Sequence, residues 1–147
     1  MGKRERIHKL TISIHSRLHL TLLAMHAGEY RINGGIGFAI DAPACELVFV
    51  SAPNFAIDDQ RIDPLSANEL GRLTSALYAE QKKHGFAKEL AVTIGGKMRT
   101  HFGFGSGTAI RLASLEALHR LNGSTPTAAD LITASGRGGT SGIGIHT

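Results

Sequence analysis

Leu10, Ile12 and Ile14 alternate with Thr11, Ser13 and His15, and Leu18, Leu20 and Leu22 alternate with Arg17, His19 and Thr21. This two-residue period predicts two half-buried strands. The second strand sets Arg17, His19 and Thr21 on one face, either a solvated sheet surface or the polar wall of a site. Asn33-Gly34-Gly35-Ile36-Gly37 has the composition of a turn ahead of an extended Phe38 to Ile40, and Ala44 to Val50 is a further strand-like run. A turn at Asp58-Asp59 precedes another extended piece.

The period then changes to that of a helix. Ser66 with Glu69 three positions on forms a capping box, Leu70, Leu73 and Leu77 follow at helical spacing, and His84-Gly85 closes the segment. Leu90, Val92 and Ile94 alternate as a strand into Gly95-Gly96. A second helix carries Ile110, Ala113, Ala117, Leu118 and Leu121 as one apolar stripe and ends at Asn122-Gly123. A shorter helix is expected to begin at Thr125-Pro126, with proline at its first position, and to reach Ser135. Strands, helix, strand, helix, helix is an α+β order rather than repeated βαβ units.

Between the last strand and the second helix lies His101-Phe102-Gly103-Phe104-Gly105-Ser106-Gly107-Thr108. Glycines let successive backbone N–H groups turn toward one anion, and the helix that follows adds its positive end, so the segment reads as a phosphate cradle as well as a tight connection. The lysine of a Walker loop and the Gly-x-Gly-x-x-Gly dinucleotide fingerprint are both absent from it.

Composition narrows the picture further. A chain of 147 residues, 42% hydrophobic, suits one domain with its own core. A net charge of +4 favours an anionic partner, but the basic residues are scattered apart from Lys3, Arg4 and Arg6, and aromatics make up 5%. Nucleic acid is therefore disfavoured against a small phosphorylated molecule. The single cysteine, Cys45, excludes an internal disulfide and a multi-cysteine metal cluster, and it fits a reducing cytoplasm as a buried structural thiol. The apolar stretch after the basic start is interrupted by Ser13, His15, Arg17 and His19, and no run spans a membrane.

Three segments in order resemble the GHMP superfamily of small-molecule kinases: Ser16-Arg17-Leu18-His19-Leu20, Asn33-Gly34-Gly35-Ile36-Gly37 and Gly103-Phe104-Gly105-Ser106-Gly107-Thr108. A further segment, Gly139-Thr140-Ser141-Gly142-Ile143-Gly144, is similar to the superfamily's Ser-Gly-x-Asp pattern but has Gly144 where the kinases carry the catalytic aspartate. Glycine accepts no proton and bears no charge, so phosphoryl transfer to a hydroxyl lacks its orienting group. Together with Gly136-Arg137-Gly138, the pattern resembles the β-ribofuranosylaminobenzene 5′-phosphate synthase branch, with Ala109 where a glutamine is frequent.

That resemblance implies a GHMP-kinase N-terminal domain of the ribosomal-protein-S5-domain-2-like fold over residues 1–147, with the family's C-terminal lobe absent from this chain. It implies a cytoplasmic, homo-oligomeric enzyme of tetrahydromethanopterin biosynthesis. The implied reaction joins 4-aminobenzoate or 4-hydroxybenzoate to phosphoribosyl pyrophosphate, with loss of CO2 and pyrophosphate. On this reading Gly103, Gly105, Ser106, Gly107 and Thr108 bind phosphate, with Ser106 also a ligand for Mg2+. Arg17, His19, His101 and Arg137 are the candidate catalytic residues, and Asn33, Gly139, Thr140 and Ser141 line the substrate. An ATP-dependent kinase and a non-enzymatic RNA-binding domain are the competing readings.

Overall fold

A computed structural model describes residues 7–24, 33–99 and 106–136, with the backbone alone for 19–24 and 33–36. The elements run β1 (Lys9–Ala24), β2 (Asn33–Ala52), β3 (Ala56–Asp59), α1 (Ala67–His84), β4 (Glu89–Gly96), α2 (Ser106–Leu121) and α3 (Ala128–Ser135). The sheet order is β1-β2-β4-β3, with β1 and β4 antiparallel to β2 and β3 parallel to β4. Parallel neighbours cannot be joined by a hairpin, and α1 supplies the crossover between β3 and β4.

Alternation decides which face of the sheet is covered. Ile14, Cys45, Leu47, Phe49, Leu90, Val92 and Ile94 are buried, while Thr11, Ser13, His15, Glu46 and Thr93 are exposed. Against the apolar face lies α2, which touches β1, β2 and β4 as well as α1 and α3. Its burial exceeds the single stripe expected from the sequence. Ser106, Thr108, Ser114, Leu115 and His119 are buried in addition to Ile110, Ala113, Ala117, Leu118 and Leu121, because neighbours enclose the helix on several sides. The buried Ser114 hydroxyl donates back to the Ile110 carbonyl at 2.7 Å, which satisfies it without a partner from another element.

Three strand expectations change. The two strands predicted near the start are one strand, β1. Asn33 to Gly37, expected as a turn, is the first part of β2, pairing with Ala24 back to His19. Asp58 and Asp59 close β3 rather than turning. The long β1–β2 ladder absorbs its mismatches as bulges. Ile14 and His15 face Cys45 and Ala44, but Ser16 faces Ile40, so Asp41, Ala42 and Pro43 have no partners in this register. Pro43, which lacks an N–H to give the ladder, thus sits where none is needed, and its carbonyl accepts from the Ser16 hydroxyl.

The helix ends follow local chemistry closely. At α1 the Glu69 N–H donates to Ser66 Oγ at 3.3 Å and the Ser66 N–H donates to Glu69 Oε2 at 3.0 Å, with Gly85 at φ 63° terminating the helix. At α3 the cap is Thr127, not Thr125, and Pro126 precedes it. The Asp130 N–H donates to Thr127 Oγ1 at 3.1 Å and the Thr127 N–H to Asp130 Oδ2 at 2.9 Å, a reciprocal pair that fixes the start. These bonds from the Thr127 backbone and hydroxyl lower the Asp130 carboxyl pKa. Thr127→Ala is expected to lose about 1 kcal/mol of stability and Thr127→Ser almost none, read from urea midpoints. Equal midpoints for Thr127→Ala and the parent would show that the box contributes nothing.

Candidate functional site

The first turn of α2 is the described part of the expected phosphate loop. The first N–H groups of a helix have no intrahelical acceptor and carry the positive end of its dipole, and this first turn contains no acidic residue. Ser106 and Thr108 are buried at 4% and 5% exposure, and the half-buried Gly107 faces α1. A Cβ on Gly107 would stand 3.4 Å from Glu69 Oε1, an ordinary contact distance, which places Gly107 beside the first turn of α1. A cavity of about 50 Å3 between the two helices is lined by Glu69, Arg72, Gly107 and Arg111 among others.

Arg72 and Arg111 are the residues that the linear reading missed. Both also line an open groove of about 590 Å3 that runs on to Ser135 and Gly136, the residue just before Arg137. Arg111 Nη1 donates to the Ser135 carbonyl at 2.9 Å, which ties α2 to the end of α3. Helical periodicity carried the signal: Arg111 lies four positions after Gly107 and Arg72 three after Glu69, so each shares a helix face with a residue at the start of its helix. Two guanidinium groups beside a helix N-terminus suit phosphate or carboxylate, which they bind as planar forks.

The other candidate residues are placed as follows. Arg17 lies on β1 opposite Ala39, half-buried, and alternation directs it to the face opposite that of Ser16. His19 pairs with Gly37 and Asn33 with Ala24 in the same ladder, and for these two only the backbone is described. His101, Gly103, Gly105, Arg137, Gly139, Thr140 and Ser141 lie outside the described residues. The structure thus brings Gly107 together with Arg72 and Arg111, with Ser106 and Thr108 its buried neighbours on α2, and it places Arg17, His19 and Asn33 along the β1–β2 ladder.

The path into the loop is set by a second cluster. Arg61 and Asp59 form a bidentate pair, Nε to Oδ1 at 2.8 Å and Nη2 to Oδ2 at 2.6 Å, with side chains 1% and 5% exposed. Arg61 Nη1 also donates to the Met98 carbonyl at 3.2 Å, and Cys45 Sγ approaches the same oxygen at 3.8 Å. Burial pushes the Cys45 thiol pKa up, so it stays protonated as a structural group, as its sequence context suggested.

No protein-family model matches the chain. Among curated proteins it is 32% identical over 130 residues to a β-ribofuranosylphenol 5′-phosphate synthase of Archaeoglobus fulgidus, covering 88% of this chain and 39% of that protein. To the protein of the same name from Methanothermobacter thermautotrophicus it is 29% identical over 139 residues, 93% of this chain and 42% of that one. The chain therefore spans about two fifths of the length of these relatives. Among solved structures, homoserine kinase from Cytophaga hutchinsonii superposes with a TM-score of 0.65 at 16% identity, over 92% of this chain and 42% of the kinase. Among the described residues no helix is long and apolar enough to cross a membrane. The chain has the fold of a GHMP-kinase N-terminal domain and, over about nine tenths of its own length, is a sequence relative of the β-ribofuranosylphenol 5′-phosphate synthases.

Proposed function

We propose that this chain forms the phosphate-binding part of a decarboxylating phosphoribosyltransferase that couples a 4-substituted benzoate to phosphoribosyl pyrophosphate. The observation that carries the reading is the kinship over nine tenths of the chain with synthases named for a ribofuranosylphenol phosphate. A phenol in that name favours 4-hydroxybenzoate as the acid, with 4-aminobenzoate the alternative. The reaction forms a bond from the anomeric carbon to the ring carbon bearing the carboxylate, while the bond to pyrophosphate breaks. Loss of CO2 then returns its bonding pair to the ring and restores aromaticity.

Negative charge grows on the departing pyrophosphate, and the first turn of α2 with Arg72 and Arg111 offers fixed donors for it. Gly103, Gly105, Ser106, Gly107 and Thr108 hold the phosphates in this scheme. Arg17 and Arg137 hold anionic substrate groups, and His19 and His101 donate to phosphate or carry a proton near neutrality. Asn33, Gly139, Thr140 and Ser141 line the aromatic acid. The Ser106 hydroxyl is a hard oxygen donor of the type that suits Mg2+, and Glu69 Oε1 lies beside the neighbouring Gly107. Bound there, Mg2+ would neutralise charge on the leaving group. The enzyme is expected to be cytoplasmic and homo-oligomeric.

The test is carboxyl-labelled 4-hydroxybenzoate and 4-aminobenzoate, each given to the protein with phosphoribosyl pyrophosphate. Labelled CO2 and pyrophosphate are expected in equal amounts, only when both substrates are present. Arg111→Ala is expected to cut kcat/KM by at least about tenfold, the loss of one charge-assisted hydrogen bond. Retention of the label in a ribosylated product, or phosphate transfer from ATP to a small alcohol, would overturn the reading. The second of those outcomes would restore the kinase alternative that the fold alone allows.

A further inference from the structure

We propose that Glu80, His84 and His119 bind a divalent transition-metal ion of the zinc class at the C-terminal ends of α1 and α2. This site is remote from the phosphate cradle, since thirteen residues of helix separate His119 from Ser106, about 20 Å. One ligand atom from each of the three side chains lies within 4.8 Å of the others. Glu80 Oε1 is 2.8 Å from His119 Nε2 and 3.0 Å from His84 Nε2.

The fold makes this convergence. Glu80 and His84 are four apart on one face of α1. Glu69 stands beside Gly107 near the start of the two helices and Glu80 beside His119 near their ends, so α1 and α2 run in the same direction. Parallel helices present both negative dipole ends at the same place, and the Glu80 carboxylate, 5% exposed, adds a formal charge there. A cation is what that field favours.

Two imidazoles and one carboxylate are the donor set of three-ligand zinc sites, and bonds of about 2.0–2.2 Å in tetrahedral geometry place donors about 3.3 Å apart. The two separations from Glu80 Oε1 therefore open by a few tenths of an ångström to admit the ion, while the two imidazole donors, within 4.8 Å of each other, come to the same spacing by adjustment of the more exposed His84 ring. Metal at Nε2 requires the His119 proton on Nδ1, where Ser124 Oγ, at 3.0 Å, can accept it. Such an outer partner orients a ligating histidine. Phe86 packs on both rings, stacked at 5.2 Å from His84 and edge-on at 4.9 Å from His119, and so shields that side from water. The His84 side chain is 34% exposed, which leaves the fourth position open to solvent.

Chelator-treated protein titrated with Zn2+ in a calorimeter should take up one ion per chain at this site, and saturating Zn2+ should raise the melting temperature. Co2+ should give the visible absorption of a tetrahedral ion. His84→Gln, at the most exposed ligand, is expected to weaken Zn2+ binding at least about tenfold while the metal-free variant still melts cooperatively. The control His8→Gln/His15→Gln, changing two exposed histidines, should leave binding unchanged. Absence of stoichiometric uptake, or uptake unaffected by His84→Gln, would overturn the proposal and leave the cluster as a hydrogen-bonded helix clasp.

Discussion

Asp59→Ala is expected to destabilise the fold by about 3–5 kcal/mol, the cost of leaving a buried guanidinium without its counter-ion. Asp59 accepts from Arg61 Nε and Nη2, from the Leu65 N–H at 2.9 Å and from the Arg61 N–H at 3.2 Å. Burial alone would raise its pKa. The bonds from Arg61 and Leu65 outweigh burial and hold the pKa below the ordinary carboxylate value. A depressed folded-state pKa contributes stability that is complete above the unfolded value, about 3.9, and is lost as the pH falls through the folded one. The parent should therefore lose stability more steeply than Asp59→Ala below about pH 4. Asp59→Leu/Arg61→Met should recover most of the loss, because apolar residues of similar volume need no desolvated charge. Urea midpoints at pH 7 and across the acid range decide it. A single-variant cost under about 1 kcal/mol would place the pair with exposed ion pairs.

The pair's consequence reaches the site. Arg61 Nη1 on the Met98 carbonyl holds the chain one residue before Arg99, on the way from β4 to the Gly-rich segment and α2. None of this was legible locally. Asp58-Asp59 has the composition of a turn, and only pairing with Thr93 and Ile94 of a distant strand makes it an edge strand. The same reason hid the start of β2, where Asn33-Gly34-Gly35 resembles a turn until β1 pairs with it.

Where chemistry is local, the reading succeeds. Both capped helix termini obey side chains within three residues of the cap, and the Leu73, Leu77 and Glu80 positions share one stripe of α1. Extending that stripe by three residues exposes a buried carboxylate. What faces it, His119, sits 39 residues on, a separation no helical period encodes. Around the expected phosphate loop the split is similar: glycines and hydroxyls before a helix marked Gly107 locally, whereas Arg72 and Arg111 line one cavity with it only because α1 and α2 lie side by side.

Gly96→Val is expected to destabilise the protein by more than about 3 kcal/mol, combining backbone strain with overpacking. Gly96 ends β4 opposite Cys45 at φ 111°, where side chains are disfavoured. A Cβ there would lie 2.5 Å from the Ala44 carbonyl oxygen and 2.8 Å from Cys45 Cα, both backbone atoms of β2 that cannot swing aside as a side chain would. That carbonyl also accepts from the Lys97 N–H at 3.0 Å and the Met98 N–H at 3.3 Å, so the substitution pushes on the contact that turns the chain toward the loop. Gly95→Ala is the control, since nothing lies within 4 Å of its added carbon, and it should change stability by less than about 0.5 kcal/mol. Gly85→Ala falls between, with a strained φ of 63° but open space, at about 1 kcal/mol. Urea midpoints ranked Gly96, Gly85, Gly95 from most to least destabilised support close approach as the cause. Gly96→Val matching Gly85→Ala would show that β2 yields, and that backbone conformation alone requires glycine at this entry to the Gly-rich segment.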